Sequence, residues 1–156
     1  MPNEHRPRTH RAVALALAVM VLGLGGCSTH PPEKKQGQIL AEALAKTPNP
    51  TQARELVTVT IPSHGALADQ LAIASGGGAN ATQLAALLSQ VARSSTPRVL
   101  VIGGAPALDA AVMQGALKGQ RLEGLQVIFA GLPEQEADIA TLVRAAGARF
   151  DFFSRQ

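Results

Sequence analysis

Residues 99–109 read Val-Leu-Val-Ile-Gly-Gly-Ala-Pro-Ala-Leu-Asp, and most of that pattern returns 27 residues further on. Val101-Ile102 comes back as Ile128-Phe129, Gly104-Ala105-Pro106 as Gly131-Leu132-Pro133, and Asp109 as Glu136. Each unit is a short apolar run, a glycine turn, a proline and an acidic residue. An apolar run without polar alternation suits a strand buried on both faces. Proline suits the first position of a helix, where its missing N–H has no intrahelical partner in any case. An acidic residue in the first turn complements the positive end of the helix. The repeat is therefore one strand–turn–helix unit, and successive units of this kind imply parallel strands joined by right-handed crossovers.

The same alternation extends outward. Residues 56–61 (Leu-Val-Thr-Val-Thr-Ile) are β-branched and predict a first strand, and residues 149–153 predict a last one. In 81–93, Leu84, Leu87, Leu88 and Val91 share one helical face, as do Ile139, Leu142, Val143 and Ala146 in 134–146. Residues 107–118 form a less regular helix on Leu108, Val112 and Leu117, weakened slightly by Gly115. Gly147 closes the last helix as a left-handed cap. Residues 63–78 admit two readings. Leu67, Leu71 and Ala74 support a helix, whereas 70–74 also fits a strand that ends at the glycines. Either way the expectation is a small three-layer α/β sandwich with a mostly parallel sheet of about four strands. Its pattern resembles flavodoxin-like and Rossmann-like domains.

Ahead of this domain, residues 38–46 predict a short helix, with Ile39, Leu40, Ala43 and Leu44 on one face and Pro48 and Pro50 stopping it. The N-terminus is of another kind. Arg6, Arg8 and Arg11 precede an uncharged run over 12–26. That run is shorter than the roughly 20 residues of a bilayer span and reads as a secretory signal. It ends in Leu24-Gly25-Gly26-Cys27, which resembles the lipobox of bacterial lipoproteins. The resemblance implies diacylglycerol on the Cys27 thiol, cleavage before Cys27 and acylation of the new amine. Asp after the cysteine favours inner-membrane retention in that family, so Ser28 resembles the outer-membrane class. The expected organisation is a leader over 1–26, a lipidated tether over 27–37, a helix and linker over 38–50, and the α/β domain over 51–156. Residues 28–38 are polar and proline-bearing, as a tether requires, and include His30.

Composition narrows the function classes. A length of 156 residues predicts one domain, and 46% hydrophobic residues exclude wholesale disorder. Trp and Tyr are absent and Phe occurs four times, which argues against base-stacking platforms and an aromatic sugar cleft. One cysteine excludes an intrachain disulfide framework and a cysteine-based zinc site. Removing 1–26 takes away Arg6, Arg8, Arg11 and Glu4, leaving 11 basic and 10 acidic residues, so the chain carries no basic footprint for nucleic acid.

Open α/β sheets bind ligands beyond the carboxyl ends of their strands. The residues expected there are Ser63 and His64, then Gly103 and Gly104, then Gly131. His64 is the one histidine of the predicted domain, and a histidine can serve as a general base near neutral pH. Asp69, Asp109 and Asp151 are candidates to orient it. No G-x-S-x-G nucleophile elbow accompanies Ser63, and a helix-capping turn accounts for the pair equally well. Ser75, Gly76, Gly77, Gly78 and Asn80 precede a helix, where backbone N–H groups can wrap an anion. Ser75, Gly76, Gly78 and Asn80 resemble the Ser-Gly-x-Gly-x-Asn phosphate loop of glycinamide ribonucleotide formyltransferases. That family's Asn-His-Asp set has no counterpart here, and the chain is too short. A flexible loop with Asn80 as N-cap is the structural alternative. Neither a P-loop nor a dinucleotide fingerprint is present, no metal-ligand spacing occurs, and no cofactor is expected. The leading expectation is an outer-membrane lipoprotein that presents its domain to another envelope protein as a non-enzymatic module. A binding domain for a small anionic or sugar-like ligand, with Ser63, His64 and the glycine loop in one crevice, and a hydrolase using Ser63 or His64 are the alternatives.

Overall fold

The computed structural model describes residues 33–45 and 56–156. Cys27, the leader, the lipobox, Ser28, His30, Pro48 and Pro50 lie outside the described residues. In chain order the elements are α1 (Gln36–Ala45), β1 (Val57–Thr60), α2 (Ala66–Ala74), α3 (Gly78–Ala92), β2 (Arg98–Ile102), α4 (Pro106–Leu117), β3 (Gln126–Gly131), a 3-10 turn (Pro133–Gln135), α5 (Glu136–Ala145) and β4 (Arg149–Ser154). Each strand expected from the sequence is present within a residue or two. The ambiguous stretch is helical: α2 occupies it, and the glycines follow as a turn.

The four strands are all parallel and lie in the order β1-β2-β3-β4. Val99 registers with Val57 on one side and Val127 on the other, and Phe129 with Val101 and Phe152. Flavodoxin-like and Rossmann-like sheets reverse their strand order part-way and bind ligands at the reversal. The sequential order of these four strands contains no such point.

Alternation along β2 and β3 divides the core in two. Val99, Val101, Val127 and Phe129 face α3, α4 and α5, packing with Leu88, Leu108, Val112, Met113, Ile139 and Val143. Leu100, Ile102, Ile128 and Ala130 face the other way and pack with Ile39, Ala43 and Phe153. The second face is thus covered by α1, which supplies the third layer. The helix expected as a segment ahead of the domain belongs to the domain itself. It starts at Gln36, inside the expected tether, and the compact unit runs from Pro32 to Gln156. Every described residue of both clusters lies at position 39 or later.

Ile39 retains 2% of its accessible surface. Ile39→Ala is expected to cost about 2–5 kcal/mol of unfolding free energy in urea. Leu67→Ala on exposed α2 should stay within about 0.5 kcal/mol. Equal, small losses for both would show that α1 does not hold the sheet.

Candidate functional site

The carboxyl edge of the sheet is where chemistry was expected, and three of its loops are closed in the same way. Beyond β1, Pro62, Ser63 and His64 are exposed. The Ser63 hydroxyl donates to Asp69 Oδ2 at 2.5 Å, and the His64 backbone N–H donates to Asp69 Oδ1 at 2.9 Å. Beyond β2, the Gly104 N–H donates to Asp109 Oδ1 at 2.7 Å. Beyond β3, the Leu132 N–H donates to Gln135 Oε1 at 2.7 Å. In each loop an acceptor from the start of the next helix satisfies a backbone donor that the strand has left behind. The second and third loops are joined, because Gln135 Nε2 donates to Asp109 Oδ2 at 3.0 Å.

The residue after β4 completes the edge. Arg155 donates its N–H to Gly131 O at 2.9 Å and its Nη2 to Gly104 O at 3.3 Å. Its Nη1 lies 3.9 Å from Glu33 Oε2. The Arg155 carbonyl in turn accepts the Lys34 N–H at 2.6 Å, which ties the start of the domain to its end. Sequence reasoning singled out neither Arg155 nor Gln135.

The two carboxylates are tuned in opposite directions. The Ser63 hydroxyl, and then the His64 N–H, hold Asp69 below the ordinary aspartate value. Burial pushes Asp109 above it, against the Gln135 and Gly104 hydrogen bonds and the Arg155 charge. A nucleophilic serine needs a base that accepts its proton, usually an imidazole oriented by a third group. Here the Ser63 proton is directed at a carboxylate more acidic than usual, which is a poor base. His64 hydrogen-bonds to this cluster through its backbone N–H, and its ring acts on Asp69 only through charge.

The candidate glycines have packing roles. A Cβ on Gly103 would meet the Asp109 carboxylate, one on Gly104 the Ile61 carbonyl, and one on Gly131 the Phe129 ring. The glycine loop ends α2. Gly77 N–H donates to Ala72 O at 2.8 Å and Gly76 N–H to Ile73 O at 3.0 Å, the two bonds of a Schellman cap with Gly76 in the left-handed region. Those two N–H groups are therefore taken by the cap. Asn80 is not the N-cap of α3, which begins at Gly78 after Gly77.

The expected crevice is divided. Asn80 lines a cleft of about 250 Å³ with Val59, Ile61, Pro62, Leu84 and Leu87. Ser75 and Gly76 line a separate open groove of about 670 Å³ with Gln114, Gly115, Lys118 and Leu142. Asp151, the third candidate to orient His64, instead accepts from Gln126 Nε2 on the neighbouring strand β3. Among the described residues no three of His, Cys, Asp and Glu converge on a point that could hold a metal ion. No helix of the described residues is long and apolar enough to cross a membrane. No protein-family model, curated protein or solved structure matches this chain.

Two outcomes are expected. A left-handed φ costs a non-glycine residue about 1–2 kcal/mol. Gly76→Ala should lose about that much, because open space surrounds the new methyl. Gly77→Ala should lose about 1–3 kcal/mol more, since its Cβ would lie 2.7 Å from Val112 Cα. Equal losses in chemical denaturation would contradict the packing role of Gly77.

The second concerns pH. Asp109, raised in the folded state, binds its proton more tightly folded than unfolded, so its contribution makes stability fall as pH climbs from 3.8 through the raised value. Asp69, lowered in the folded state, contributes stability above 3.8 that is lost as pH falls through the lowered value. Urea unfolding from about pH 3 to about pH 7 should show Asp109→Asn flattening the upper slope and Asp69→Asn the lower one. Unchanged slopes in both variants would contradict the assignment.

Proposed function

We propose that the chain is a lipoprotein anchored through Cys27 in the outer membrane and facing the periplasm. Its α/β domain is a non-enzymatic binding or accessory module for another envelope protein. The anchoring part is supported by the order Arg6, Arg8 and Arg11, then the uncharged run over 12–26, then Leu24-Gly25-Gly26-Cys27. Each acyl chain contributes about 0.8 kcal/mol per buried methylene, and stable attachment takes more than one chain.

The non-enzymatic part is carried by one observation. The polar side chains at the carboxyl edge are engaged in closing its loops, with Asp69 on Ser63 and His64, Asp109 on Gly104, and Gln135 on Leu132. A hydrolase built on Ser63 would need the His64 imidazole between hydroxyl and carboxylate, whereas the hydroxyl reaches Asp69 directly. The cleft beside Asn80, at about 250 Å³, falls below the roughly 300–1,000 Å³ of ordinary ligand pockets. The groove beside Ser75 and Gly76, at about 670 Å³, lies within that range, so the reading rests on the engaged loop side chains and not on cavity size.

The full lipoprotein, crosslinked in cells and purified, is expected to bring down one recurrent envelope protein, and Ser63→Ala and His64→Ala should bring down the same one. Mass spectrometry of the N-terminal peptide should show lipid on Cys27, and Cys27→Ser should leave the membrane fraction. An unmodified Cys27 refutes the anchor. Repeated recovery of the lipoprotein alone refutes the accessory role.

A further inference from the structure

Helix α2 carries both of the large apolar side chains that stand exposed among the described residues. Its nine residues carry a single charge, Asp69, which is buried and held by Ser63 and His64. The surface that α2 shows to solvent is Ala66, Leu67, Ala68, Gln70, Leu71 and Ala74. Leu67 is 74% and Leu71 66% exposed, and they stand one turn apart on the same face. A helix that faces only water would place polar residues at the two leucine positions.

Chain length indicates what covers this face. The Lys34 N–H is bonded to the Arg155 carbonyl, so the chain enters the domain at the carboxyl edge of the sheet, beyond β4. Helix α2 begins at the same edge, beyond β1. Three strand spacings separate β1 from β4, about 14 Å. Seven residues lead from Cys27 to Lys34, a reach of at most about 25 Å when fully extended. An anchor at Cys27 therefore keeps this edge, and the start of α2 with it, within a few nanometres of the bilayer. A short tether raises the effective concentration of a surface to the millimolar range, so two leucines that would not hold a free protein on lipid can seat an anchored one.

We propose that the exposed face of α2, led by Leu67 and Leu71, seats in the interfacial layer of the bilayer that holds the anchor. The domain then rests with the carboxyl edge of its sheet toward the lipid. This inference rests on the lipoprotein reading, and its test is separable from it. Cys27 is the single cysteine of the chain, so a chain beginning at Cys27, which contains every described core residue, can be coupled through its thiol to a maleimide lipid. The coupling works whether or not cells lipidate that residue.

In nanodiscs of phosphatidylethanolamine and phosphatidylglycerol carrying a nitroxide headgroup lipid, the amides of residues 66–74 should be broadened most within 56–156, the segment just after the anchor lying near lipid in any case. The amides of residues 93–97, in the loop before β2, should be broadened little. Leu67→Gln with Leu71→Gln should bring residues 66–74 down to the level of 93–97 while leaving the rest of the amide spectrum in place. Broadening centred elsewhere within 56–156, or unchanged in the double variant, overturns the docking. So does a lipid-free dimer, seen by sedimentation velocity, that the double variant dissolves, because it would give the face to a second copy. An unmodified Cys27 in cells, by contrast, refutes the anchor and leaves the nanodisc result to judge the face on its own.

Discussion

Strands β2 and β3 are apolar on both faces, and that double burial constrains everything around them. Val99, Leu100, Val101 and Ile102 are each at most 5% exposed, as are Val127 to Ala130. Such a sheet is stable only if helices cover both sides. Yet crossovers of one hand between parallel strands taken in sequential order deliver every connecting helix to the same side. Helices α3, α4 and α5 all pack on the face of Val99, Val101, Val127 and Phe129, leaving Leu100, Ile102 and Ile128 bare. The cover for that face has to come from outside the repeat, and α1 supplies it with Ile39 and Ala43.

The carboxyl edge follows from the same architecture. Each parallel strand ends in a loop that must turn back into a helix, and each loop leaves a donor without a partner. Asp69, Asp109 and Gln135 meet that need from equivalent places at the head of the next helix. Two of them are carboxylates, and the deeper one carries a cost of burial. Asp109 is fully buried and sits in the field of Arg155, itself 7% exposed. Removing either charge would leave the other in a poorly solvated place, the situation in which loss of one partner destabilises most. The loops of the edge are thus tied to one another through Asp109, Gln135 and Arg155, and the engagement of the Ser63 hydroxyl with Asp69 weighs against Ser63 as a nucleophile.

Much of this was legible in the sequence. The runs at 99–102 and 127–129, the prolines at helix starts and the spacing of Leu84, Leu88 and Val91 each carry a local signal strong enough to specify an element. The readings that failed are those in which one residue type serves two ends. Glycines before a helix suggest an anion cradle, and glycines after a helix suggest a cap. Gly76 and Gly77 stand in both positions, and the cap takes their donors because α2 ends there. Asp109 was aligned with Glu136 by the repeat, whereas its structural counterpart is Gln135, one residue earlier because a 3-10 turn intervenes. The glutamine three residues after Leu132 was the available signal, since a side chain at that spacing reaches back to a loop donor. Arg155 had no local signal, as its partners Gly104, Gly131 and Glu33 come from distant parts of the chain.

The role of α1 was illegible for a related reason. Ile39 and Ala43 form a stripe too short to show what they cover, and prolines at 48 and 50 suggest a detached segment. Only the strand order reveals that one sheet face lacks a cover. Once α1 is seen as the missing layer, the chain ahead of it takes on a mechanical meaning. Lys34 bonds to the Arg155 carbonyl, its ammonium pairs with Glu42 on α1 at 2.9 Å, and Glu33 reaches the Arg155 guanidinium. A load on the N-terminal segment would therefore pass into α1 and the end of β4 together, and not into a free loop. Both are docked on the sheet, so the orientation of the entering chain is coupled to the orientation of the whole domain. A tether that joined the domain through a loose linker would hold it near a surface without aligning it. One that joins through a core helix and a sheet edge can do both.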